Sequence, residues 1–372
     1  MKILDRISFS SYFISPKNLS VYRIIYCLLI LTFSGLRSYA WIGNDFDYLF
    51  DPPKISIANI FNDFPGNNFF IVLTILNVIL FFLMFCGLWT KYTSILFSLT
   101  CILGANFIYS FGKIDHNILV LITPLIGGLA GWGNYYSIDE RRNRSKIELT
   151  PRNREYISFL IAVFALFIGF SFFSAGIVKV YKGWWHINVQ AIKYHLYLNY
   201  YYLGRDKYLA GYFLRFNSVA FWKFLDYFII FFELGFLVSV FNRKVFQYFL
   251  VSAVVFHFIV LLIYNINFSG NLLVYLLFID WDKLTTYLKR HFKLNSIKYF
   301  IIIYASFMLI LWIIKFVSEP KLVELPSFMD FFLPAINLPT LADDISAFIS
   351  IPVLFFILFI HLQKKKLSTV DK

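Results

Sequence analysis

The feature that most constrains this chain is a long stretch without a single charged side chain. "FFIVLTILNVILFFLMFCGLW", from Phe69 to Trp89, contains no Asp, Glu, Lys or Arg. As an α-helix it would be about 32 Å long, enough to cross the hydrocarbon core of a bilayer, which is roughly 30 Å thick. Similar stretches recur, and only 15% of the residues are charged, against about 25% in soluble domains. The sequence therefore predicts a polytopic membrane protein.

Hydropathy predicts an all-α fold, a polytopic integral membrane helix bundle with about ten membrane-embedded helices. We expect them at Val21–Trp41, Phe69–Trp89, Ser94–Phe111, Ile118–Trp132, Ile157–Val178, Phe221–Phe241, Val245–Tyr264, Asn271–Ile279, Tyr299–Phe316 and Ile345–Leu362. The fourth, eighth and tenth are short. Residues 1–20 are predicted to be a cytoplasmic leader, either a short interfacial helix or an unstructured chain, without a cleavable signal peptide. Residues 21–362 form the predicted transmembrane domain, and 363–372 a basic cytoplasmic tail.

Charge divides the connections between these helices into two groups. "DERRNRSK", "NRK", "DKLTTYLKRHFKLNSIK" and "KKK" are basic, whereas "NDFDYLFDPP" and "SEPKLVELPSFMD" lean acidic. Alternating sides through ten helices places every strongly basic connection and both termini on one face, and the positive-inside rule makes that face cytoplasmic. We therefore attribute the net charge of +13 to topology in a bacterial cytoplasmic membrane, and expect no nucleic-acid partner.

Lys179 is the first candidate for chemistry. It follows the apolar segment Ile157–Val178, and no acid stands beside it in the sequence. A lysine at a helix end usually extends its ammonium to the lipid headgroups as an anchor. The alternative is a base, because desolvation disfavours the ammonium form and allows an amine in an apolar pocket to take up a proton.

The predicted topology brings other candidates to the level of Lys179. "FGKIDHN" and "GWWHINVQ" lie on the same external side and carry His116 and Trp184. His257 lies in the seventh predicted helix, which rises toward that face. Imidazole can donate or accept a proton near neutral pH, so these residues predict a proton-transfer site. The alternatives are a simple loop histidine at 116 and a packing histidine at 257.

Two further charges lie inside predicted helices. Glu233, in "FFELGFLVSV", and Arg23, in the first helix, are predicted to be structural buried charges. We expect Glu233 to pair with a basic group such as Arg23, while Arg23 could instead anchor to inner headgroups. The three cysteines are scattered through apolar segments, so neither a disulfide framework nor a metal site is predicted.

Three stretches resemble a known family. They are "DHNILVLITPLIGGLAGWGNYYSIDE" from Asp115, "FFSAGIVKVYKGWW" from Phe172, and Phe256-His257 followed by Asn267, Phe268 and Gly270. They are similar to the membrane region of the vitamin K-dependent gamma-glutamyl carboxylases and of the wider HTTM (horizontally transferred transmembrane domain) proteins. The resemblance places Lys179 at the position of the family's proposed base.

The resemblance implies an integral-membrane enzyme that uses a reduced quinone of vitamin K or menaquinone type. Lys179 would deprotonate the quinone, and His116 would stabilise the resulting anion. The activity would be of the lyase, or carbon–carbon ligating, type on an external-side substrate, with O2 and CO2 as co-substrates. Four residues would line the quinone and substrate pocket: Asp115, Trp184, His257 and Asn267.

A second function is also consistent with an HTTM-like chain. Small bacterial HTTM proteins include a membrane partner needed to mature a secreted sporulation-delaying toxin peptide. By that likeness, the chain would be a non-redox membrane factor for maturation, export or immunity of a secreted peptide. In both cases the expected partners are the lipid bilayer and a secreted peptide or protein, and the oligomeric state is left open.

Overall fold

A computed structural model describes residues 10–44, 47–61, 63–112, 117–142, 149–282, 294–319, 324–328 and 330 of the 372-residue chain. In this part the fold is almost wholly helical. The α-helices are α1 Pro16–Leu29, α2 Asn67–Cys86, α3 Thr90–Tyr109, α4 Ile118–Leu129, α5 Ile138–Arg141, α6 Pro151–Tyr181, α7 Ala191–Tyr197, α8 Ala210–Leu214, α9 Val219–Ser239, α10 Arg243–Tyr264, α11 Ser269–Tyr275 and α12 Leu294–Ser318. Two short strands, β1 Leu36–Arg37 and β2 Glu324–Leu325, pair antiparallel.

Five helices of the described chain are long and apolar enough to cross a membrane. They are α2, α3, α6, α10 and the part of α12 from Tyr299 to Ser318. Large apolar side chains on these helices are exposed, for example Val72 and Ile303; such surfaces need an apolar environment. The prediction of a helical protein with transmembrane helices is thus supported, and the five helices indicate an integral membrane protein. The tenth predicted helix, Ile345–Leu362, lies outside the described residues.

The first predicted helix differs from the structure at both ends. α1 begins at Pro16 because Ser15 caps it, with the Ser15 hydroxyl accepting a hydrogen bond from the Asn18 N–H at 3.2 Å, and proline suits a first helical turn. A π-helical turn, Ile30–Ser34, follows α1 and ends at Gly35, whose φ of 66° few other residues adopt. The predicted extension of this helix to Trp41 is therefore wrong.

Two other predicted helices are present in altered form. α9 has the length of a transmembrane helix, but it contains three buried ionisable side chains: Lys223, Asp226 and Glu233. It is not among the five apolar helices for that reason. The predicted helix Asn271–Ile279 corresponds to α11 and a 3-10 turn, Leu276–Phe278. At 1.5 Å per residue α11 is about 10 Å long, too short to cross a bilayer core.

The helices belong to two compact units. In the unit formed by described residues 14–153 and 273–330, α3 packs against α2 and α4. There the Asp139 carboxylate accepts the backbone N–H groups of Trp89 and Thr90 at 2.8 and 2.7 Å, tying the α2–α3 turn to α5. The other unit, described residues 10–13 and 154–272, contains most of α6 together with α7, α8, α9 and α10. It also contains Lys179.

Candidate functional site

α6 and α9 pack antiparallel along one face of each helix. Phe172 of α6 stacks on Phe236 of α9, with ring centroids 4.1 Å apart. One turn further along α6, a Cβ on Gly176 would lie only 3.1 Å from the Cβ of Glu233, so the helices approach closely where α6 has no side chain. The next residue on this face of α6 is Lys179. Helix packing therefore directs Lys179 toward α9.

Lys179 and Glu233 form an ion pair. The Lys179 ammonium donates to both carboxylate oxygens of Glu233, at 2.6 Å each. The Glu233 side chain is 5% exposed and that of Lys179 is 21% exposed. One expectation is corrected here. The sequence suggested a basic group such as Arg23 as the partner of Glu233, and the partner is Lys179, which has no acid beside it in the sequence.

Arg23 bonds to backbone instead. Its buried guanidinium donates to the carbonyl oxygens of Trp132 and Tyr136 at 3.2 and 2.6 Å. Carbonyl oxygens partly replace the water that the cation loses on burial. This arrangement accords with a structural role for Arg23.

Trp184 covers the ammonium of Lys179. The Lys179 Nζ lies 5.4 Å from the centroid of the Trp184 ring, within the range of a cation–π interaction. His195 of α7 packs against the same indole, with ring centroids 5.1 Å apart. Partial loss of water around the ring, together with the positive charges of Lys182 and Lys179, lowers the pKa of His195 below its usual value. The imidazole is therefore neutral near pH 7 and can both donate and accept a hydrogen bond.

A second pair of charges holds Trp184 in place. The Lys223 ammonium donates to the carbonyl oxygens of Trp184 and Val189, at 2.5 and 2.8 Å, and to the Asp226 carboxylate at 3.1 Å. Asp226 also accepts the first two backbone N–H groups of α7, at 3.2 and 3.0 Å, where a carboxylate is favoured by the helix dipole. Both side chains are buried. The connection from α6 to α7 is thus fixed to α9 by hydrogen bonds to charged groups.

Sequence reasoning missed His195, Lys223 and Asp226 as site residues. A signal for the last two was present, because three ionisable residues within one predicted membrane helix are uncommon. His195 had no comparable signal, since it lies in a connection between predicted helices, where histidine is ordinary.

Comparison with known proteins found no match. No family model, no curated protein and no solved structure is similar to this chain. The likeness to the carboxylases therefore stays an interpretation of the three motifs, and a functional assignment depends on the chemistry of the site.

The remaining predicted site residues fall into two groups. His257 is 4% exposed and lies among aromatic rings, with its centroid 5.9 Å from that of Phe172 and 4.8 Å from that of Phe268. Asn267 has an exposed side chain in the connection after α10. Asp115 and His116 lie outside the described residues, so the predicted approach of His116 to Lys179 stays a prediction.

The site offers proton chemistry and aromatic packing. One amine and one carboxyl group share a set of hydrogen bonds, an indole covers the amine, and a layer of phenyl rings around Phe172 lies two helical turns away along α6. In the part of the chain that the structure describes, no group of three or more His, Cys, Asp or Glu side chains could hold a metal ion.

Proposed function

We propose that this chain is an integral-membrane enzyme that removes a proton from a reduced quinone of vitamin K or menaquinone type. The Lys179–Glu233 pair carries this proposal: an ammonium and a buried carboxylate lie 2.6 Å apart near the end of a membrane-length helix. Ionisable groups at such depth are costly, and they commonly mark functional sites. A buried ion pair can also be purely structural, with each charge neutralising the other. A chemical test distinguishes the two roles.

The pair can accept one proton and then hold an anion. Ammonium with carboxylate, and amine with carboxylic acid, have the same net charge, so a proton can pass between the two groups along their hydrogen bond. In the state with a neutral amine and a carboxylic acid, transfer of one quinol hydroxyl proton to the Lys179 amine leaves the Lys179 ammonium beside a neutral Glu233. The ammonium is then free to pair with the quinolate oxygen. Lys179 thus keeps the part in proton transfer that the motif suggests, and Glu233 joins it.

The surrounding residues support the same chemistry. Trp184 limits access of water to the Lys179 ammonium, and neutral His195 can donate a hydrogen bond to an anion beside that indole. The aromatic layer with Phe172 and His257 suits the flat ring of a quinone. The use of O2 and CO2, and proton abstraction from a substrate outside the membrane, belong to the same proposal through the likeness to the carboxylases.

Oxidation of a quinol by the purified chain tests this function. The protein would be reconstituted in nanodiscs with a reduced menaquinone analogue under air, and quinone formation followed by ultraviolet absorbance. Lys179→Arg keeps a cation beside Glu233, but arginine does not release its proton. We expect the rate to fall at least about 100-fold, the usual scale for loss of a general acid or base.

Lys182→Arg is the matched control, because it makes the same chemical change at an exposed lysine three residues away. We expect Lys182→Arg to retain the native rate and both variants to insert normally. A native rate in Lys179→Arg would exclude proton transfer by this residue. If the native chain oxidises no quinol above empty nanodiscs, the non-redox factor for a secreted peptide becomes the better explanation.

A further inference from the structure

The connection between α6 and α9 forms a fixed surface, which we call the aromatic platform and define as residues 181–217. It contains α7 and α8. The Tyr264 hydroxyl, at the end of α10, donates to the Ile192 carbonyl at 2.8 Å. The Trp222 indole N–H, near the start of α9, donates to the Phe216 carbonyl at 2.7 Å. The platform is thus fastened at the level where α6 and α10 end and α9 begins.

The aromatic platform combines a buried cluster with exposed aromatic rings. Ile192, Leu196, Ala210 and Leu214 pack in a cluster with Trp222 and Ile263. Five large aromatic residues of the platform are exposed: Trp185 at 53%, Tyr194 at 62%, Tyr201 at 67%, Tyr202 at 81% and Tyr212 at 69%. Eight of the chain's 25 tyrosines lie in the platform.

Such an exposed face fits the boundary of a bilayer better than water. Soluble surfaces rarely expose this many large aromatic rings within one connection. Tyrosine and tryptophan are enriched where a membrane meets water, because the ring is apolar and its hydroxyl or N–H group is polar. The position of the platform at the ends of two membrane-length helices, α6 and α10, agrees with that depth.

Charge indicates which lipid the platform contacts. It contains five basic residues and a single acid, Asp206; the basic residues are Lys182, Lys193, Arg205, Lys207 and Arg215. Lys182 and Arg215 are exposed. Aromatic rings at the depth of the glycerol groups would bring these flexible basic side chains to the level of the phosphates.

We propose that the aromatic platform lies in the headgroup layer of the leaflet at which α6 ends, and that its basic side chains bind the phosphates of anionic phospholipids. This inference is independent of the quinol chemistry, because it uses no residue of the Lys179–Glu233 pair. According to this proposal, the exposed side chains of the platform contact lipid and not bulk water.

Quenching of a label on the platform by spin-labelled lipids tests this proposal. Tyr201→Cys would carry a fluorophore in a full-length chain whose three native cysteines are replaced by alanine. Vesicles would contain equal fractions of a phosphatidylglycerol or a phosphatidylcholine that bears a nitroxide near the top of one acyl chain. We expect quenching by both probes, and severalfold stronger quenching by the anionic one, since each Lys or Arg near an anionic surface changes binding by roughly fivefold.

A charge-matched pair of variants identifies the binding groups. Lys182→Gln/Arg215→Gln should remove most of the anionic preference but keep quenching by phosphatidylcholine, because the rings stay in place. Arg152→Gln/Lys244→Gln removes the same charge at the opposite ends of α6 and α10 and should preserve the preference. An anionic preference that survives excess inorganic phosphate distinguishes lipid from free anion. Absence of quenching by both lipids, equal quenching by both in the native chain, or loss of preference in phosphate would each overturn the proposal.

Discussion

At the residue scale, Lys179 and Glu233 each compensate for the other's loss of water. A charge taken from water into an apolar bundle loses several kcal/mol of solvation, and an opposite charge in hydrogen-bond contact recovers part of that loss. The two oxygens of Glu233 both accept from the same ammonium. Each residue therefore depends on the other more strongly than on any single apolar neighbour.

This dependence predicts strong non-additivity. Lys179→Met or Glu233→Leu alone leaves an uncompensated charge, and we expect a cost of about 3–5 kcal/mol for each. The double variant removes both charges and should recover most of the loss. Thermal unfolding of the three variants in detergent measures the effect; costs that simply add would contradict this account of the pair.

The residues of the pair could be predicted individually from the sequence, but their contact could not. Both stood out because ionisable side chains are rare in apolar helices. They are 54 positions apart, and their meeting depends on the register of α6 against α9. That register follows from Phe172, which stacks on Phe236, and from Gly176, which lies against Glu233 and Leu234. No pattern of neighbouring residues in the sequence reveals these contacts.

At the scale of elements, a glycine of α6 lies at each end of the contact between α6 and α9: Gly176 near Glu233, and Gly169 near Leu237. A Cβ on Gly169 would lie 2.8 Å from Val240 Cγ2 and 3.1 Å from the Leu237 Cα. Gly169→Ala should therefore force the helices apart and cost about 1–3 kcal/mol, the range for overpacking.

Gly211→Ala is the matched control for Gly169→Ala. Its new Cβ would meet the Tyr200 hydroxyl at 3.5 Å, an ordinary contact, in the helix α8. Since alanine favours helix over glycine by about 1 kcal/mol, Gly211→Ala should be neutral or stabilising. The two melting temperatures measure the difference, and an equal loss at both sites would rule out a packing effect at Gly169.

The Lys223–Asp226 pair predicts a local effect on α7. Asp226→Ala removes the acceptor of the first N–H groups of α7, and loss of such a cap costs about 1 kcal/mol, in addition to the cost of leaving the buried Lys223 ammonium without its carboxylate. We expect hydrogen exchange at Ala191 and Ile192 to become about fivefold faster or more. Asp206→Ala, an exposed acid of the same platform, serves as the control, and equal exchange in both variants would speak against the cap.

Elements were predictable where hydrophobicity alone decided them. α2, α3 and α10 begin and end close to the predicted bounds. A long apolar run with few charges is compatible with few structures other than a transmembrane helix. α1 was harder, since a cap at Ser15 and a left-handed Gly35 set its ends. The platform was harder still, because its short helices depend on hydrogen bonds to α9 and α10.

For the whole molecule, orientation in the membrane is the main consequence of the charge pattern. From the positive-inside rule we expect the start of α6 in the cytoplasm and the platform outside. A single cysteine in place of Glu155 should resist an impermeant maleimide in intact cells, and one in place of Ile187, which is 72% exposed, should react. The native cysteines are removed first; the reverse pattern of labelling would invert the topology.

The sequence predicted a helical membrane protein more readily than it predicted the arrangement of the candidate site. Apolar runs and basic connections are properties of composition along the chain, so they predict helices and their alternation across a membrane. A site depends on which faces meet. Lys179 and Trp184 are near neighbours in the chain, but Glu233 is 54 positions away from Lys179. Only the packing of α6 against α9 brings that carboxylate to them.

The length of α6 has a consequence for the membrane itself. With 31 residues the helix is about 46 Å long, of which the apolar stretch from Ile157 to Val178 covers about 33 Å. Charged residues stand at both boundaries of this stretch, Arg154 with Glu155 at one and Lys179 at the other. These charges fix the depth of α6 in the bilayer, because a shift of the helix in either direction along the membrane normal moves a charged side chain into the hydrocarbon. Lipids with longer acyl chains would submerge Lys179, so bilayer thickness becomes a variable that acts directly on the ion pair.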